Sequence, residues 1–354
     1  MLIYLPFFIA LVATIILTPI TIIFSKKVGL IDDPQTHNHP AIQHRTPIPR
    51  GGGIPLFLGT WTAAFFFLPF TKLTIGMFVA SLIAVIVGTL DDKYDTSRYF
   101  RFFMNFVCAA IVVGSGVGVT FITNPFGGIL HLDTIKWTFN FFGTHSIFVI
   151  ADLLSLLWIA WVMNMLNWSK GVDGQMPGVV AISAFVIGLV SLRFSLTDPF
   201  IIIGVNLSFA LAGAAVGFLL FNFYPAKIFP GYGATSIYLL LATLSILSTS
   251  KLATAVLVMG VPMVDGIFTI IRRVLNGRSP FWMDNKHLHH MLLRLGYGHR
   301  SIALFYWIIS AILGTVALTL SSTGKLFAII MLCTVVGGCI FFLHFILRDE
   351  KNSA

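Results

Sequence analysis

The chain has 354 residues, of which 57% are hydrophobic and only 10% are charged. Soluble domains carry about 25% charged residues, so this composition excludes a water-soluble domain, and its apolar content excludes a disordered chain. The apolar runs are continuous, whereas a membrane β-barrel needs alternating apolar and polar residues. The sequence therefore predicts one all-α polytopic membrane domain over residues 1–354.

The net charge of +9 comes from 22 Lys and Arg against 13 Asp and Glu. In a soluble protein this excess would suggest nucleic acid. In a polytopic membrane protein it is explained by the enrichment of Lys and Arg in cytoplasmic loops. We therefore expect membrane lipids, and no nucleic acid, as partners of the basic loops.

In chain order, the predicted elements are apolar runs long enough to cross a bilayer, which takes about 20 residues. The first run lacks the basic stretch and the cleavage site of a signal peptide, so we predict that it is retained. The predicted fold is a membrane helical bundle of about 11 (10–11) transmembrane helices. The predicted spans are 2–24, 52–70, 73–90, 102–122, 147–166, 178–194, 200–223, 234–249, 252–271, 302–320 and 326–347.

Seventeen of the 22 Lys and Arg fall in alternate connections between these spans. Because cytoplasmic loops collect Lys and Arg, these connections are predicted to be cytoplasmic, with the N-terminus outside and the C-terminus inside. Most acids and seven of the ten histidines lie in the same connections. We therefore predict a polar site at the cytoplasmic face of the inner (plasma) membrane. The cytoplasmic segments are 25–51, 91–101, 167–177, 224–233, 272–301 and the tail from 348.

Asp91 and Asp92 follow directly on the apolar run 73–90. Two adjacent carboxylates at a membrane boundary repel each other unless a cation or a proton compensates them. A hard divalent cation such as magnesium prefers this kind of oxygen ligand, together with substrate phosphates. The alternative is a solvated loop in which the acids only end a helix.

The strongly apolar span 147–166 ends in the polar run NMLNWSKGVDG at 164–174. Asn164 and Asn167 are three residues apart and share one face of a helix, and glycines permit a close approach of backbone to a ligand. A helix C-cap would explain one glycine. It would not explain two Asn followed by Gly-x-Asp-Gly, so we interpret the run as part of a site.

The loop 272–301 combines Arg272 and Arg273 with three histidines at 287, 289 and 290. Paired arginines suit phosphate, and histidine can bind phosphate or a metal ion or transfer a proton. The arginines alone would also fit anionic lipid headgroups. The run PIPRGGG at 47–53 could likewise be a stiff loop or could bring backbone N–H groups close to phosphate.

Six segments in chain order resemble those of the polyprenyl-phosphate N-acetylhexosamine-1-phosphate transferases, glycosyltransferase family 4. The resemblance extends from about Asp32 to Arg300 and is closest to the undecaprenyl-phosphate GlcNAc-1-phosphate transferases. Each segment alone is a weak signal, but six in order on one predicted face are strong. The segments are PIPRGGGI at 47–54, DDKYD at 91–95, NMLNWSKGVDG at 164–174, AKIFPGYGATS at 226–236, PMVDGIFTIIRR at 262–273 and DNKHLHHMLLRLGYGHR at 284–300.

The resemblance implies that polyprenyl phosphate attacks the β-phosphorus of a UDP-aminosugar such as UDP-GlcNAc and that UMP leaves. The product, a polyprenyl-diphosphate sugar, would start a cell-envelope polysaccharide. Mg²⁺ or Mn²⁺ is expected as cofactor, since a metal ion neutralises a diphosphate. Dimers are common in the resembled family, and a homodimer is therefore a further expectation.

The resemblance also implies roles for individual residues. Asp91 and Asp92 would be catalytic, and together with Asn167 they would hold the metal ion. Asp173 would contact the nucleotide, and most of the other residues would bind phosphate groups. The expected substrate-binding residues are Arg50, Asn164, Lys170, Asp173, Arg273, His287, His289 and His290.

Two positions depart from the family pattern. Lys170 stands where the family usually has the first Asp of Asp-Gly-x-Asp-Gly, and Tyr232 stands where it usually has a magnesium-binding Asp. One carboxylate becomes a cation and another becomes a neutral phenol, which weakens the attraction for a divalent ion.

These departures leave three hypotheses open for the metal. Asp91, Asp92 and Asn167 still hold magnesium with the substrate phosphates, or Lys170 supplies part of the metal's charge, or the protein is a catalytically weak homologue that binds lipid phosphate or nucleotide. A transporter is a further alternative from another class. It is disfavoured because transporters place ionisable residues near the bilayer midplane, whereas most of those here cluster at one surface.

Overall fold

The computed structural model describes residues 2–35, 46–124, 126–140, 144–247, 252–280, 282 and 284–352. Part of the predicted cytoplasmic segment 25–51, namely residues 36–45, lies outside the described residues, as do the last two residues of the predicted span 234–249. All of the expected site residues lie inside them.

Thirteen α-helices account for most of the described chain. Each predicted span overlaps at least one of these helices, and the predicted all-α membrane architecture is confirmed. The helices are α1 Leu5–Val28, α2 Gly53–Phe67, α3 Lys72–Tyr94, α4 Arg98–Gly114, α5 Val149–Trp168, α6 Gln175–Ser191, α7 Pro199–Asn222, α8 Thr235–Leu247, α9 Leu252–Val258, α10 Gly260–Leu275, α11 Leu288–Arg294, α12 His299–Thr319 and α13 Ser322–Asn352.

The predicted number of spans, about 11, is not confirmed. Six of the described helices are long and apolar enough to cross a membrane, and the pair α9–α10, bent by 86°, would make a seventh. Several other predicted spans are shorter helices, such as α2 with 15 residues and α8 with 13. A helix rises 1.5 Å per residue, so 15 residues reach only about 22 Å of the ~30 Å hydrocarbon core.

Within the described residues, three antiparallel two-stranded pairs interrupt the helices, and the sequence did not predict them. The predicted span 102–122 is helical only as far as Gly114, and its last residues enter a hairpin. The turn of that hairpin contains Gly127 and Gly128, whose positive φ angles of 123° and 82° favour glycine. The strands are β1 Ile31–Asp32, β2 Ile48–Pro49, β3 Phe121–Thr123, β4 Ile129–His131, β5 Lys136–Asn140 and β6 Thr144–Phe148, paired β1–β2, β3–β4 and β5–β6.

Helix α7 lies at the centre of the bundle and packs against α1, α2 and α6. Small residues bring these helices close together, as is typical of helix pairs in membranes. A Cβ at Gly213 would overlap the carbonyl oxygen of Phe7 on α1, and one at Gly59 would overlap the side chain of Thr14. This close packing fixes the positions of the loops that leave α1, α2 and α7.

We expect Gly213→Ala to lower the melting temperature of the detergent-purified protein, because the added methyl overlaps the α1 backbone. Overpacking of this kind costs about 1–3 kcal/mol. Gly114→Ala is the matched control, since a Cβ there meets no atom within 4 Å. Equal melting temperatures for both variants, measured by fluorescence-detected unfolding, would show that the α1–α7 contact is looser than described.

Candidate active site

The carboxylate of Asp92 joins the end of α3 to the loop that precedes α8. Its two oxygens accept hydrogen bonds from the backbone N–H of Tyr232 at 2.8 and 2.9 Å, and one of them accepts from Gly233 at 3.4 Å. Tyr232 begins a short 3-10 helix, Tyr232–Ala234, that runs into α8. A negative charge is favourable at a helix N-terminus, so Asp92 stabilises this loop.

Asp91 is buried beside Asp92 but binds different groups. It accepts hydrogen bonds from the backbone N–H and the hydroxyl of Thr96 at 3.0 and 2.6 Å. Nη1 of Arg101, on α4, lies 3.1 Å from both carboxylate oxygens. Nε of Arg50 lies 3.6 Å from Asp92, so each member of the acid pair has its own arginine.

Lys170 and Arg101 both lie against the ring of Tyr232. The Lys170 ammonium donates to the carbonyl oxygen of Gly231 at 2.8 Å and lies 5.8 Å from the ring centroid. The Arg101 guanidinium lies 5.5 Å from the same centroid, and Asn105 donates to the phenol oxygen at 3.0 Å. A desolvated cation over an aromatic face is stabilised by about 2 kcal/mol, which gives Tyr232 a physical role.

The ammonium of Lys170 keeps its charge at neutral pH. Burial lowers the pKa of Lys170 from 10.5 to about 8, although the nearby carboxylate of Asp92 opposes that shift. At pH 7 the group is therefore still mostly protonated. We call Asp91, Asp92, Arg50, Arg101, Lys170 and Tyr232 the carboxylate cluster.

Glycines allow the 231–233 loop to approach its neighbours closely. A Cβ at Gly53 or at Gly88 would overlap the backbone of Gly233. Gly231 has a positive φ of 65°, and a Cβ there would overlap the Asp92 carboxylate. The glycine-rich run 51–53, which the sequence also allowed to be a plain stiff loop, thus packs directly against the carboxylate cluster.

A second group, here called the histidine cluster, surrounds the start of α11. Asp265 on α10 accepts a hydrogen bond from the backbone N–H of Leu288 at 2.9 Å, and its other oxygen lies 2.9 Å from Nδ1 of His287. His287 stacks on His289 with a centroid distance of 5.7 Å, and His289 contacts His290. Asp265 thus orients the histidine run rather than lying alone in the membrane.

Asp284 adds a pair of arginines to the histidine cluster. Arg272 Nη2 and Arg273 Nε lie 2.8 and 3.2 Å from the same carboxylate oxygen. Burial by itself would raise the pKa of Asp284, but the two arginines outweigh it and the pKa is lowered. The carboxylate is therefore charged at neutral pH and holds both arginines in place.

The polar run 164–174 connects the two clusters. Trp168 lies 5.9 Å from the Arg273 guanidinium and 6.4 Å from the His287 ring, measured to ring centroids. A Cβ at Gly171 would overlap the ring of His289. Asp173 accepts a hydrogen bond from the backbone N–H of Ala226 at 3.0 Å, which fixes the end of the run. Lys170 of the same run belongs to the carboxylate cluster, so the predicted segments do converge.

Three of the expected site residues, Asn164, Asn167 and His289, differ in whether their polar side-chain atoms have hydrogen-bond partners. Asn164 donates back to Ala160 of its own helix at 2.7 Å and makes no other hydrogen bond that the described residues show. Oδ1 of Asn167 and Nδ1 of His289 are buried and have no hydrogen-bond partner within the described part of the chain. Buried polar atoms of this kind normally have partners, so these two atoms are candidates for contact with a ligand.

Sequence reasoning missed Arg101 as a site residue. It was only one of the basic residues counted for topology, yet it binds Asp91 and contacts Tyr232. A signal existed, because an arginine on a membrane helix near two acids needs a partner. Nothing in the spacing showed that α4 folds back against α3 to bring the two together.

The contacts of these side chains do not fit a divalent-cation site whose ligands come mainly from the protein. All four oxygens of Asp91 and Asp92 already accept hydrogen bonds, and Arg50, Arg101 and Lys170 balance their charge. The described residues contain no group of three His, Cys, Asp or Glu side chains suited to a metal ion. The ligand set Asp91, Asp92 and Asn167 stays a prediction.

Paired acids, cations and histidines that gather where apolar helices end suit a membrane-embedded enzyme that acts on phosphorylated substrates. A model of glycosyl transferase family 4 matches residues 74–249, a range that includes Asp91, Asp92, Lys170 and Tyr232. The chain belongs to this family of transferases.

Three relatives from bacteria illustrate the similarity. A probable undecaprenyl-phosphate N-acetylglucosaminyl 1-phosphate transferase of Bacillus subtilis is 29% identical over 328 residues, 89% of this chain and 84% of that protein. A decaprenyl-phosphate N-acetylglucosaminephosphotransferase of Mycobacterium leprae is 31% identical over 79% of this chain and 74% of its own length. An Escherichia coli undecaprenyl-phosphate alpha-N-acetylglucosaminyl 1-phosphate transferase is 26% identical over 82% of this chain and 77% of its own length. The resemblance seen in the sequence is confirmed, and the enzyme class is that of a glycosyl-1-phosphate transferase.

We expect stability to fall between pH 6.5 and pH 4 because of His290. Burial, assisted by the nearby His287, lowers the pKa of His290 from 6.5 to about 4. Between pH 6.5 and pH 4, His290 therefore binds a proton in the unfolded chain but stays largely unprotonated in the folded chain. The free energy of unfolding then drops by up to about 1.4 kcal/mol per pH unit.

The measurement is the melting temperature from pH 7.5 to pH 4.5 for the parent protein and for His290→Gln. The variant should show a shallower decline with falling pH. His131→Gln is the control, because that side chain is 62% exposed on a hairpin. Equal slopes for the parent and for His290→Gln would contradict the assignment.

Proposed function

We propose that this protein transfers N-acetylglucosamine-1-phosphate from UDP-GlcNAc to a polyprenyl phosphate and releases UMP. Support comes from the Bacillus and Escherichia relatives, which are named for undecaprenyl phosphate and N-acetylglucosaminyl 1-phosphate. No observation favours the two alternatives, a binding-only homologue or a transporter. The product would begin a cell-envelope polysaccharide.

The observation that carries this proposal is the convergence of the motif loops into one polar region at the ends of apolar helices. The acceptor is a phosphate on a lipid tail, and the donor is a soluble anion. A site at the membrane surface can meet both substrates, with the tail left in lipid. The Lys and Arg distribution supports the cytoplasmic face of the inner membrane as the location of the site.

In the proposed reaction an oxygen of the acceptor phosphate forms a bond to the β-phosphorus of UDP-GlcNAc. The bond from that phosphorus to the bridging oxygen breaks, and UMP leaves with the oxygen and its electron pair. Phosphoryl transfer depends mainly on positioning and on the stabilisation of charge. The residues of the site therefore act by holding anions in place.

Arg50 is the cation best placed to meet a phosphate group in the carboxylate cluster. Its side chain is 31% exposed and lies within 4 Å of both Asp32 and Asp92. The acids orient the guanidinium, and its exposed edge is free to bind a substrate oxygen. Asp91 and Asp92, expected to be catalytic, hold the cations and the 231–233 loop. A direct contact between them and the acceptor stays a prediction.

The histidine cluster is proposed to bind the donor's phosphates and sugar. Arg273 lies against Trp168, and His289 presents a buried nitrogen without a partner among the described residues. Burial, with smaller effects from the neighbouring histidines, keeps the pKa of His289 well below 6.5, so the ring is neutral and can donate or accept a hydrogen bond. Asp173, fixed beside this cluster, is proposed to contact the nucleotide.

Two expectations that the resemblance implies stand apart from this proposal, which depends on neither. Magnesium, or manganese in its place, stays a prediction that the structure does not test. The same holds for a homodimer, since a single chain shows no partner surface. Membrane lipids are proposed to surround the exposed apolar faces of helices such as α1 and α13, which are apolar enough to span a membrane.

The first experiment is an exchange assay with the purified protein. Labelled UMP should appear in UDP-GlcNAc when undecaprenyl phosphate is present, because the reaction is reversible at the β-phosphorus. Omission of the lipid should abolish the exchange. If no UDP-aminosugar became labelled with lipid and magnesium present, the binding-only alternative would replace this proposal.

We expect Asp92→Asn to lower the exchange rate by at least about 100-fold, a typical size for the loss of one group that supports electrostatic stabilisation in an active site. The amide still accepts a hydrogen bond from Tyr232, but the negative charge that holds Arg50 and Lys170 is lost. The melting temperature should be recorded for the same sample, so that unfolding is not mistaken for lost chemistry.

Asp133→Asn is the matched control, because that acid lies outside both clusters and its side chain is 39% exposed. It should retain the parent rate. A parent-like rate for a well-folded Asp92→Asn protein would refute the role given to the acid pair.

A further inference from the structure

We propose that Lys170 is the built-in cation of this site and that the transfer proceeds without a bound divalent metal ion. The proposal rests on the function proposed above and adds what neutralises the diphosphate. It concerns the region formed by the carboxylate cluster, where three side-chain cations surround two buried acids.

Every oxygen of the two acids already accepts a hydrogen bond. Each oxygen of Asp92 accepts from the Tyr232 backbone, and each oxygen of Asp91 accepts from Arg101. A metal ion at either carboxylate would have to compete with the backbone N–H of Tyr232 and with the positive charge of Arg101. A hard divalent cation prefers anionic oxygens that are free to coordinate it, and these carboxylates are committed elsewhere.

The position of Lys170 makes it the natural substitute. An ammonium group has three N–H donors, and in the described contacts one of them is used by the Gly231 carbonyl oxygen. The remaining donors can meet oxygens of a phosphate group. Fixed cations stabilise the charge that develops on a leaving phosphate without any metal ion.

Tyr232 is the second half of the arrangement. Its ring lies within 6 Å of both the Lys170 ammonium and the Arg101 guanidinium, measured to the centroid. Two like charges so close together repel, and the negative face of an aromatic ring offsets part of that repulsion. The phenol is fixed by Asn105, so the ring keeps both cations beside the acid pair.

The test is the exchange assay in EDTA and in magnesium, with Lys170→Met and Lys136→Met compared with the parent. The parent and Lys136→Met, an exposed residue on β5, should keep at least half of their magnesium rate in EDTA. Lys170→Met should lose at least 100-fold in both conditions, and Lys170→Arg should recover part of the loss.

The outcomes separate the two proposals. Exchange that requires magnesium would overturn this inference and leave the proposed function standing. If the parent showed no exchange in EDTA or in magnesium, both the proposed function and this inference would be overturned. Parent-like exchange by a folded Lys170→Met protein would refute the role of the lysine.

A binding measurement gives a readout that does not depend on activity. Titration of the parent with Mn²⁺, followed by electron paramagnetic resonance, should show no saturable site below 1 mM, whereas the double variant Lys170→Asp/Tyr232→Asp should gain one. A saturable site in the parent would contradict the inference even if the double variant failed to fold.

Discussion

The arrangement of the whole site depends on one interaction. The Asp92 carboxylate accepts hydrogen bonds from the backbone N–H at the start of the short 3-10 helix 232–234. A buried carboxylate is costly unless donors and cations satisfy it. Here the donors come from a loop 140 residues away in sequence, so satisfying the charge also fixes the tertiary structure. The glycines at 53, 88 and 231 permit this approach, because a side chain at any of them would overlap the loop or the carboxylate.

Composition and charge predicted the architecture well but not the lengths of the helices. Continuous apolar runs indicate helices in a membrane, and helices do form in every predicted span. Apolar content does not show where a run breaks, however. The run 252–271 bends by 86° between α9 and α10, at Met259. The run 102–122 ends its helix at Gly114 and continues into a hairpin. Tertiary packing decides these breaks.

The site was predictable as a set of loops but not as a set of contacts. The motifs identified Asp92, Lys170 and His287, which the structure places in two clusters connected by the run 164–174. Their partners were not visible, because Arg101 reaches Asp91 only through the packing of α3 on α4. Likewise, the sequence alone does not explain Tyr232, because its ring contacts two cations that are distant in sequence.

The pairing of Lys170 with Tyr232 is explained by the different ways in which an aromatic ring and a carboxylate interact with a cation. A further carboxylate at position 232, in addition to Asp92, would neutralise more of the ammonium charge, and less positive charge would remain for a substrate. The quadrupole of an aromatic ring attracts a cation without cancelling its net charge. Lys170 can therefore be held firmly at the Tyr232 ring and the Gly231 carbonyl and still present its charge to a phosphate. On this argument the two residues act as one unit, and replacing either alone would leave the other in an unsuitable environment.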